Sequence, residues 1–280
     1  MANLEDEFGD IIQKARQGLG MTVAEVAAAS RVPVSSLETM EACGMRPSGD
    51  QVTALAGVLH LDAGRLLVIA EGGWSPAPSP SGVMQRVIAV KGAVGSYAVM
   101  GYLLTDEGGR EAVAFDTAGN GEEMLKAVRD HGLTLKYILL THTHRDHVGG
   151  MELLRRATGA PLRVHPAERA AVLAWWDGAR DAVIDDGEEV RIWDERIEAR
   201  VTPGHTVGGL CYYNKGVCFV GDSIFAGSVG RPQSPDGYRT LLASLQEKVL
   251  SRDPGTCLFP GHGPATTVGE ERTHNPFFGR

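Results

Sequence analysis

The stretch Thr141-His142-Thr143-His144-Arg145-Asp146-His147 constrains this chain more than any other, because it places three imidazoles and a carboxylate within six residues. So dense a run of polar groups that are costly to bury is not an ordinary loop. Imidazole and carboxylate are donors that suit zinc, manganese or ferrous iron, so the run reads as a metal site. The residues before it, Leu135 to Leu140, are mostly apolar and predict a buried strand. The donors then sit on the loop leaving that strand's C-terminal end, where open α/β sheets commonly build their sites.

Three further strand ends carry one donor each beside a glycine. Pro203-Gly204-His205-Thr206 follows the alternating run Arg196 to Val201, Val220-Gly221-Asp222 ends an apolar strand, and Pro260-Gly261-His262-Gly263 follows Cys257-Leu258-Phe259. Glycine lets the backbone turn sharply and approach a ligand closely. Seven donors converge in this reading: His142, His144, Asp146, His147, His205, Asp222 and His262. The other four of the nine histidines, His60, His131, His165 and His274, read as packing or surface residues. Cys43, Cys211, Cys218 and Cys257 form no C-x-x-C pair, and the last three lie in apolar runs that suit buried, inert thiols.

Residues 8 to 71 have a different character. Apolar positions at helical spacing predict helices over Ile11–Gly18, Val23–Ala29, Ser35–Ala42, Asp50–Leu59 and Ala63–Glu71, with caps at Thr22, Ser35 and Ser48 and a capping box from Thr22 to Glu25. The stretch from Gly72 to Gly82 is rich in proline, glycine and serine and reads as a semi-extended linker. The predicted organisation is thus a helical domain over 1–71, a linker over 72–83 and a catalytic domain over 84–280. With 280 residues and 43% hydrophobic content, the chain can bury a core in each.

In their order, the donors and the residues around them resemble the metallo-β-lactamase fold hydrolases, and within these the glyoxalase II-like (hydroxyacylglutathione hydrolase-like) branch. The resemblance covers roughly Met84 to Arg280. Beyond the donors it includes Gly227-Ser228-Val229-Gly230-Arg231, Gly261-His262-Gly263-Pro264 and the ending from Thr266 to Phe278. It implies an α/β fold, a four-layer αβ/βα sandwich with two divalent metals in a cleft at one edge of facing sheets. His142, His144 and His205 would bind the first metal, Asp146, His147 and His262 the second, and Asp222 would bridge them. Zinc is the expected ion, with iron or manganese accommodated by the same donors. Asp116 resembles the family's inner aspartate that orients ligands. The bridging aspartate argues against a true β-lactamase, since those of this fold generally lack it. The implied chemistry is a hydroxide, made available near neutral pH by the metals, attacking a thioester or related ester carbonyl, with Asp146 and Asp222 as ligands first.

Substrate recognition departs from the family. Arg231 falls where glyoxalase II enzymes carry a basic residue that contacts glutathione, and a guanidinium there would suit a carboxylate. Pro264 stands where a tyrosine is usual, and Gln233 where an aromatic residue is. The chain ends at Arg280, soon after the last donor motif, so the family's C-terminal helical substrate domain is expected to be missing. The N-terminal helices resemble a Cro/C1-type helix-turn-helix domain, with Val34 to Ala42 as recognition helix. Yet Met1 to Trp74 carries five Lys or Arg against ten Asp or Glu, and the expected recognition helix holds two acids and no base. Phosphate binding draws on basic contacts, so a module for dimerisation or for covering the active-site mouth is favoured over DNA binding. A mononuclear-iron persulfide dioxygenase and a metabolite-sensing transcriptional regulator stand as alternatives. The partners expected are a small thioester or ester and a second copy through the helices. The first ten residues lack a basic, apolar leader and no run nears the ~18 apolar residues of a membrane span, so a cytoplasmic protein is expected.

Overall fold

The structure, a computed structural model, describes residues 4–279; Met1 to Asn3 and Arg280, the outermost residues of the two expected domains, lie outside it. Five helices open the chain: α1 (Phe8–Gly18), α2 (Val23–Ser30), α3 (Val34–Glu41), α4 (Gly49–Leu59) and α5 (Ala63–Ala70). Thr22 and Ser48 cap α2 and α4 through capping boxes with Glu25 and Gln51, each satisfying backbone N–H groups that the first turn leaves unpaired. Ser35 is not a cap. The N-cap of α3 is Pro33, whose fixed φ of −57° starts the helix two residues earlier, and Ser35 lies in the first turn.

After the short helix α6 (Ser81–Met84) come two six-stranded sheets. The first is ordered β1 (Val87–Val94), β2 (Tyr97–Thr105), β3 (Glu111–Phe115), β4 (Thr134–Leu139), β5 (Leu162–Val164), β6 (Ala182–Val183); it is antiparallel from β1 to β3 and parallel from β3 to β6. The second comprises β7 (Glu189–Ile192), β8 (Glu195–Val201), β9 (Leu210–Asn214), β10 (Val217–Gly221), β13 (Cys257–Pro260) and β14 (Thr266–Thr267), with only β10 and β13 parallel. Between β10 and β13 lies the hairpin β11 (Ile224–Phe225) and β12 (Ser228–Val229).

Alternation along the strands separates three layers of core. Tyr102, Leu104, Val113, Phe115 and Leu139 of the first sheet meet Tyr212, Val217, Phe219, Cys257 and Phe259 of the second. Their neighbours Leu103, Ala112, Ala114 and Ile138 point the other way, onto helices α7 (Glu122–Asp130) and α9 (Met151–Thr158), which flank the donor-bearing turn α8 (Arg145–Val148). Successive side chains of a strand face opposite sides, so one alternating run serves two layers. The outer face of the second sheet packs on α10 (Pro235–Ser244) and α11 (Val268–His274), and the same cluster continues into the N-terminal helices through Ile11, Ile12, Leu55 and Leu66. The linker is tied down: Trp74 stacks on His274 at 4.7 Å between ring centroids, and the Ala77 amide donates to Glu270 at 2.7 Å.

Candidate metal centre

Strand direction explains why the donors meet. β4 is parallel to β3, β13 is parallel to β10, and β8 is two antiparallel steps from β10. The loops leaving β4, β8, β10 and β13 therefore open at one edge of the sandwich. Two buried tyrosines lock that edge from opposite sides. Tyr102 of the first sheet donates to the Pro260 carbonyl at 2.7 Å, and Tyr212 of the second donates to the Leu140 carbonyl at 2.9 Å. Each thus holds the strand end from which the other sheet's donors emerge. Gly221 shows why glycine stands in these turns: its φ is 48°, and a Cβ there would fall 2.3 Å from Thr141 Oγ1.

All seven expected donors come together. His142, His144 and His205 form one group, Asp146, His147 and His262 a second, and His142, His147 and Asp222 a third, with the donor atoms of each group within 4.8 Å of one another. His144 Nδ1 lies 3.1 Å from His142 Nε2 and 3.0 Å from His205 Nε2, while His262 Nε2 lies 3.1 Å from Asp146 Oδ2. Donors about 2.0–2.1 Å from a tetrahedral ion are spaced on the order of 3.3 Å, so this separation fits a cation shared among them. Asp222 reaches both sets: Oδ1 is 3.3 Å from His147 Nε2, and Oδ2 is 3.5 Å from both His205 Nε2 and His262 Nε2. Asp222 Oδ1 and His147 Nε2 are buried and complete no hydrogen bond. Buried polar atoms normally find partners, and a divalent ion satisfies both at once.

The far side of four of the rings is held. Nδ1 of His205 bonds the Arg231 carbonyl at 3.0 Å, and Nδ1 of His262 bonds the Ala98 carbonyl at 2.7 Å. A carbonyl only accepts, so each Nδ1 donates and Nε2 presents its lone pair to the cleft. His147 Nδ1 bonds Asp116 Oδ2 at 2.8 Å. His142 Nδ1 bonds Thr141 Oγ1 at 3.1 Å, and that hydroxyl donates its own proton to Asp116 at 2.7 Å. Asp116 therefore orients two rings without itself joining a donor group, at a φ of 57° that few L-residues adopt.

The titratable groups of the cleft set one another's charge. Burial opposes a charge on Asp222, but His147, with His142 and His262 beyond it, holds its carboxyl well below the usual carboxylate range. Burial likewise opposes a charge on His147, yet the Asp222 and Asp116 carboxylates overcome it and push that imidazole well above its ordinary value. His142, fully buried and beside His147, is driven well below.

The remaining histidines stay away from the cleft donors: His60 and His131 end α4 and α7, His165 begins a 3-10 segment and pairs with Asp185 at 3.3 Å, and His274 stacks on Trp74. Cys211, Cys218 and Cys257 are buried, Cys43 exposed. Local reading missed Thr141, the Ala98 carbonyl and Glu168. The last is buried and bonds the Thr143 hydroxyl and the Gly208 amide, bracing the loops that carry His142, His144 and His205. The regular signal for Thr141 was its place between a strand and the first histidine; Ala98 and Glu168 carried none. No helix is long and apolar enough to cross a membrane, among the described residues.

The chain is similar to several known proteins. The Bacillus subtilis protein named Probable metallo-hydrolase YqgX is 33% identical over 192 residues, covering 63% of this chain and 90% of that protein. Hydroxyacylglutathione hydrolase GloC of Haemophilus influenzae is 31% identical over 185 residues, covering 60% and 87%. Human mitochondrial Persulfide dioxygenase ETHE1 is 34% identical over 187 residues, covering 62% and 69%. Among solved structures, BLEG-1, described as a B3 metallo-beta-lactamase, superposes with a TM-score of 0.62 at 30% identity, covering 69% of this chain and all of that one. TTHA1623 in a di-iron-bound form gives 0.57 at 32%, covering 68% and 99%. The Metallo-beta-lactamase superfamily profile matches residues 96–262, which take in all seven donors and leave the N-terminal helices outside. With that match over more than half its length, the chain belongs to the metallo-beta-lactamase superfamily, whose fold implies a divalent metal site.

Proposed function

We propose that the protein is a dinuclear metal hydrolase of the glyoxalase II-like type, cleaving a thioester or a related ester. The observation that carries this reading is Asp222, whose two oxygens lie 3.3 to 3.5 Å from histidines of both donor sets. His142, His144 and His205 would hold one ion, Asp146, His147 and His262 the other, and Asp222 both. Divalent ions held so would supply Lewis acidity and lower the pKa of a water from ~16 toward neutrality. The chain's own residues do the rest. Asp116 and Thr141 fix the rings of His147 and His142, the Ala98 and Arg231 carbonyls fix those of His262 and His205, and Asp146 stays ionised beside His262 at the half-exposed rim, where it can accept a proton from the attacking water. The exposed Arg231 guanidinium, held through Nη1 by Gln13 and Gln17 of α1, would meet a substrate carboxylate with its remaining N–H groups.

The names of YqgX and GloC support hydrolysis; that of ETHE1 favours a second reading, a mononuclear-iron persulfide dioxygenase. Metal content per chain, with hydrolysis of S-lactoylglutathione, tests both. About two metals and thioester cleavage that His144→Ala abolishes bear out the hydrolase. One iron with oxygen uptake on glutathione persulfide overturns it. A cephalosporin belongs in the same screen because of the likeness to BLEG-1. We read the helices of residues 8–70 as a helix-turn-helix-like module that covers the mouth of the cleft. The surface of α3 exposes Glu38 and no base, which does not suit a phosphate backbone.

A further inference from the structure

We propose that helix α1 is a working part of the metal centre, with Gln13 and Gln17 as positioning residues that set the cation affinity of the donor group containing His205. The proposal rests on reading the cluster as a metal site. Gln13 and Gln17 are four residues apart and so share one face of α1. Both accept from the Arg231 guanidinium, at 2.9 and 2.6 Å, across 218 and 214 residues of sequence. The main chain of Arg231 in turn holds His205 Nδ1 at 3.0 Å.

There is little slack between these contacts. Gly230, which joins Arg231 to the β11–β12 hairpin, is packed so closely that a Cβ would fall 1.7 Å from the Asp222 carbonyl and 3.2 Å from His205 Cβ. Movement of Arg231 is therefore passed to His205 and Asp222, because a close-packed interior transmits displacement instead of absorbing it. The neighbouring Lys14 grips the same hairpin. Its buried ammonium pairs with Asp6, donates to the Val229 carbonyl at 2.9 Å and lies 4.7 Å from the Phe225 ring centroid. Phe225 meets His262 edge-on, 6.0 Å away with planes at 82°. One helix thus touches the loops of both donor sets, through hydrogen bonds to one and through packing to the other. The hydrogen-bonded branch ends in two amides that are not buried, so it can be removed without opening a cavity.

The test is zinc affinity of the full-length Gln13→Ala/Gln17→Ala variant, measured by competition with a chromophoric chelator and without substrate. Residues that directly bond a ligand histidine change metal affinity by roughly 10–100-fold, so a contact one step further out is expected to weaken the zinc held by His205 by on the order of 3–10-fold and the other, which shares only Asp222 with it, by less. Gln13→Glu/Gln17→Glu, which still accepts from the guanidinium, keeps the original affinity. The chelator-treated alanine variant unfolds at the same temperature as the parent. Unchanged zinc affinity in the alanine variant overturns the proposal, and so does equal weakening in both variants together with a lowered unfolding temperature, which would mark α1 as stabilising only. The readout needs no turnover, so a chain that binds zinc but cleaves no thioester would sink the reading of function and leave this one standing.

Discussion

The outer faces of the two sheets are covered in different ways, and the N-terminal helices join the core on one of them and not the other. The first sheet is parallel from β3 to β6, and a parallel connection must cross over the sheet, usually with a helix. It therefore brings its own cover: α7 and α9 place Met124, Leu125, Val128, Met151 and Leu154 on Leu103, Ala112, Ala114 and Ile138. The second sheet is built mainly of antiparallel pairs, and tight antiparallel connections bring no helix. Its outer residues Cys211, Cys218, Val220 and Leu258 share a cluster with Leu241 and Leu245 at the end of α10, and that cluster runs on into Ile11, Leu37, Leu55 and Leu66. The N-terminal helices extend this cover by packing α1 on α10, a contact across a separation in sequence that no local pattern announces.

The sharpest way to break this comparison is a cavity in the N-terminal layer. Leu37 is fully buried, and Leu37→Ala should cost about 2–5 kcal/mol. Because its core is continuous with that of the second sheet, urea unfolding followed by tryptophan fluorescence and by far-UV circular dichroism should shift as one transition. Two separated transitions would show the helices to be an independent unit. A smaller effect, about 3 kcal/mol at most, concerns Glu271. This fully buried carboxyl accepts from Gly227, Thr266 and Asn275 where the hairpin, β14 and α11 meet. Burial raises its pKa from 4.5 to about 7, against the pull of those donors. Between these values the folded chain keeps a proton that the unfolded chain has lost, so the contribution to stability is full below pH 4.5 and disappears as the pH rises to about 7. Glu271→Gln should lose that slope. If urea midpoints of parent and variant change in parallel from pH 4.5 to 7.5, the assignment fails. At the bottom of the scale lies the ion pair of Lys126 and Asp130 on the water side of α7, where both groups are exposed. Lys126→Ala should leave the thermal midpoint where it is, since such pairs add next to nothing in solvent.

Much of the cleft was legible in the residues. Each donor stands at the end of a run whose apolar character predicts a strand, and the donor types alone name the chemistry: imidazole and carboxylate for a borderline or hard divalent ion. The five N-terminal helices were readable within one to three residues at their ends, because caps such as Thr22 and Ser48 are local devices. Ser35 misled because a serine near a helix start looks like a cap whether or not a proline has already begun the turn. Arg231 was legible as a guanidinium near the site, but not its engagement with Gln13 and Gln17. Nor was there a local sign that Glu168 would bond Thr143, since that contact is made only when the 3-10 segment after β5 folds back over the donor loop.

What the sequence by itself determined is the donor inventory, the strand ends that carry it and the periodic helices before it, all properties of residues within a few places of one another. What only the tertiary structure decided is the relation among them. Asp222 reaches both donor sets because β4, β8, β10 and β13 point the same way in two facing sheets, and His147, His205 and His262 each present a definite nitrogen because a carbonyl or carboxylate from a distant part of the chain takes the other one. The N-terminal helices meet the donor loops through packing of the same long-range kind: α1 lies on α10, and the hydrophobic effect joins complementary apolar surfaces however distant in sequence.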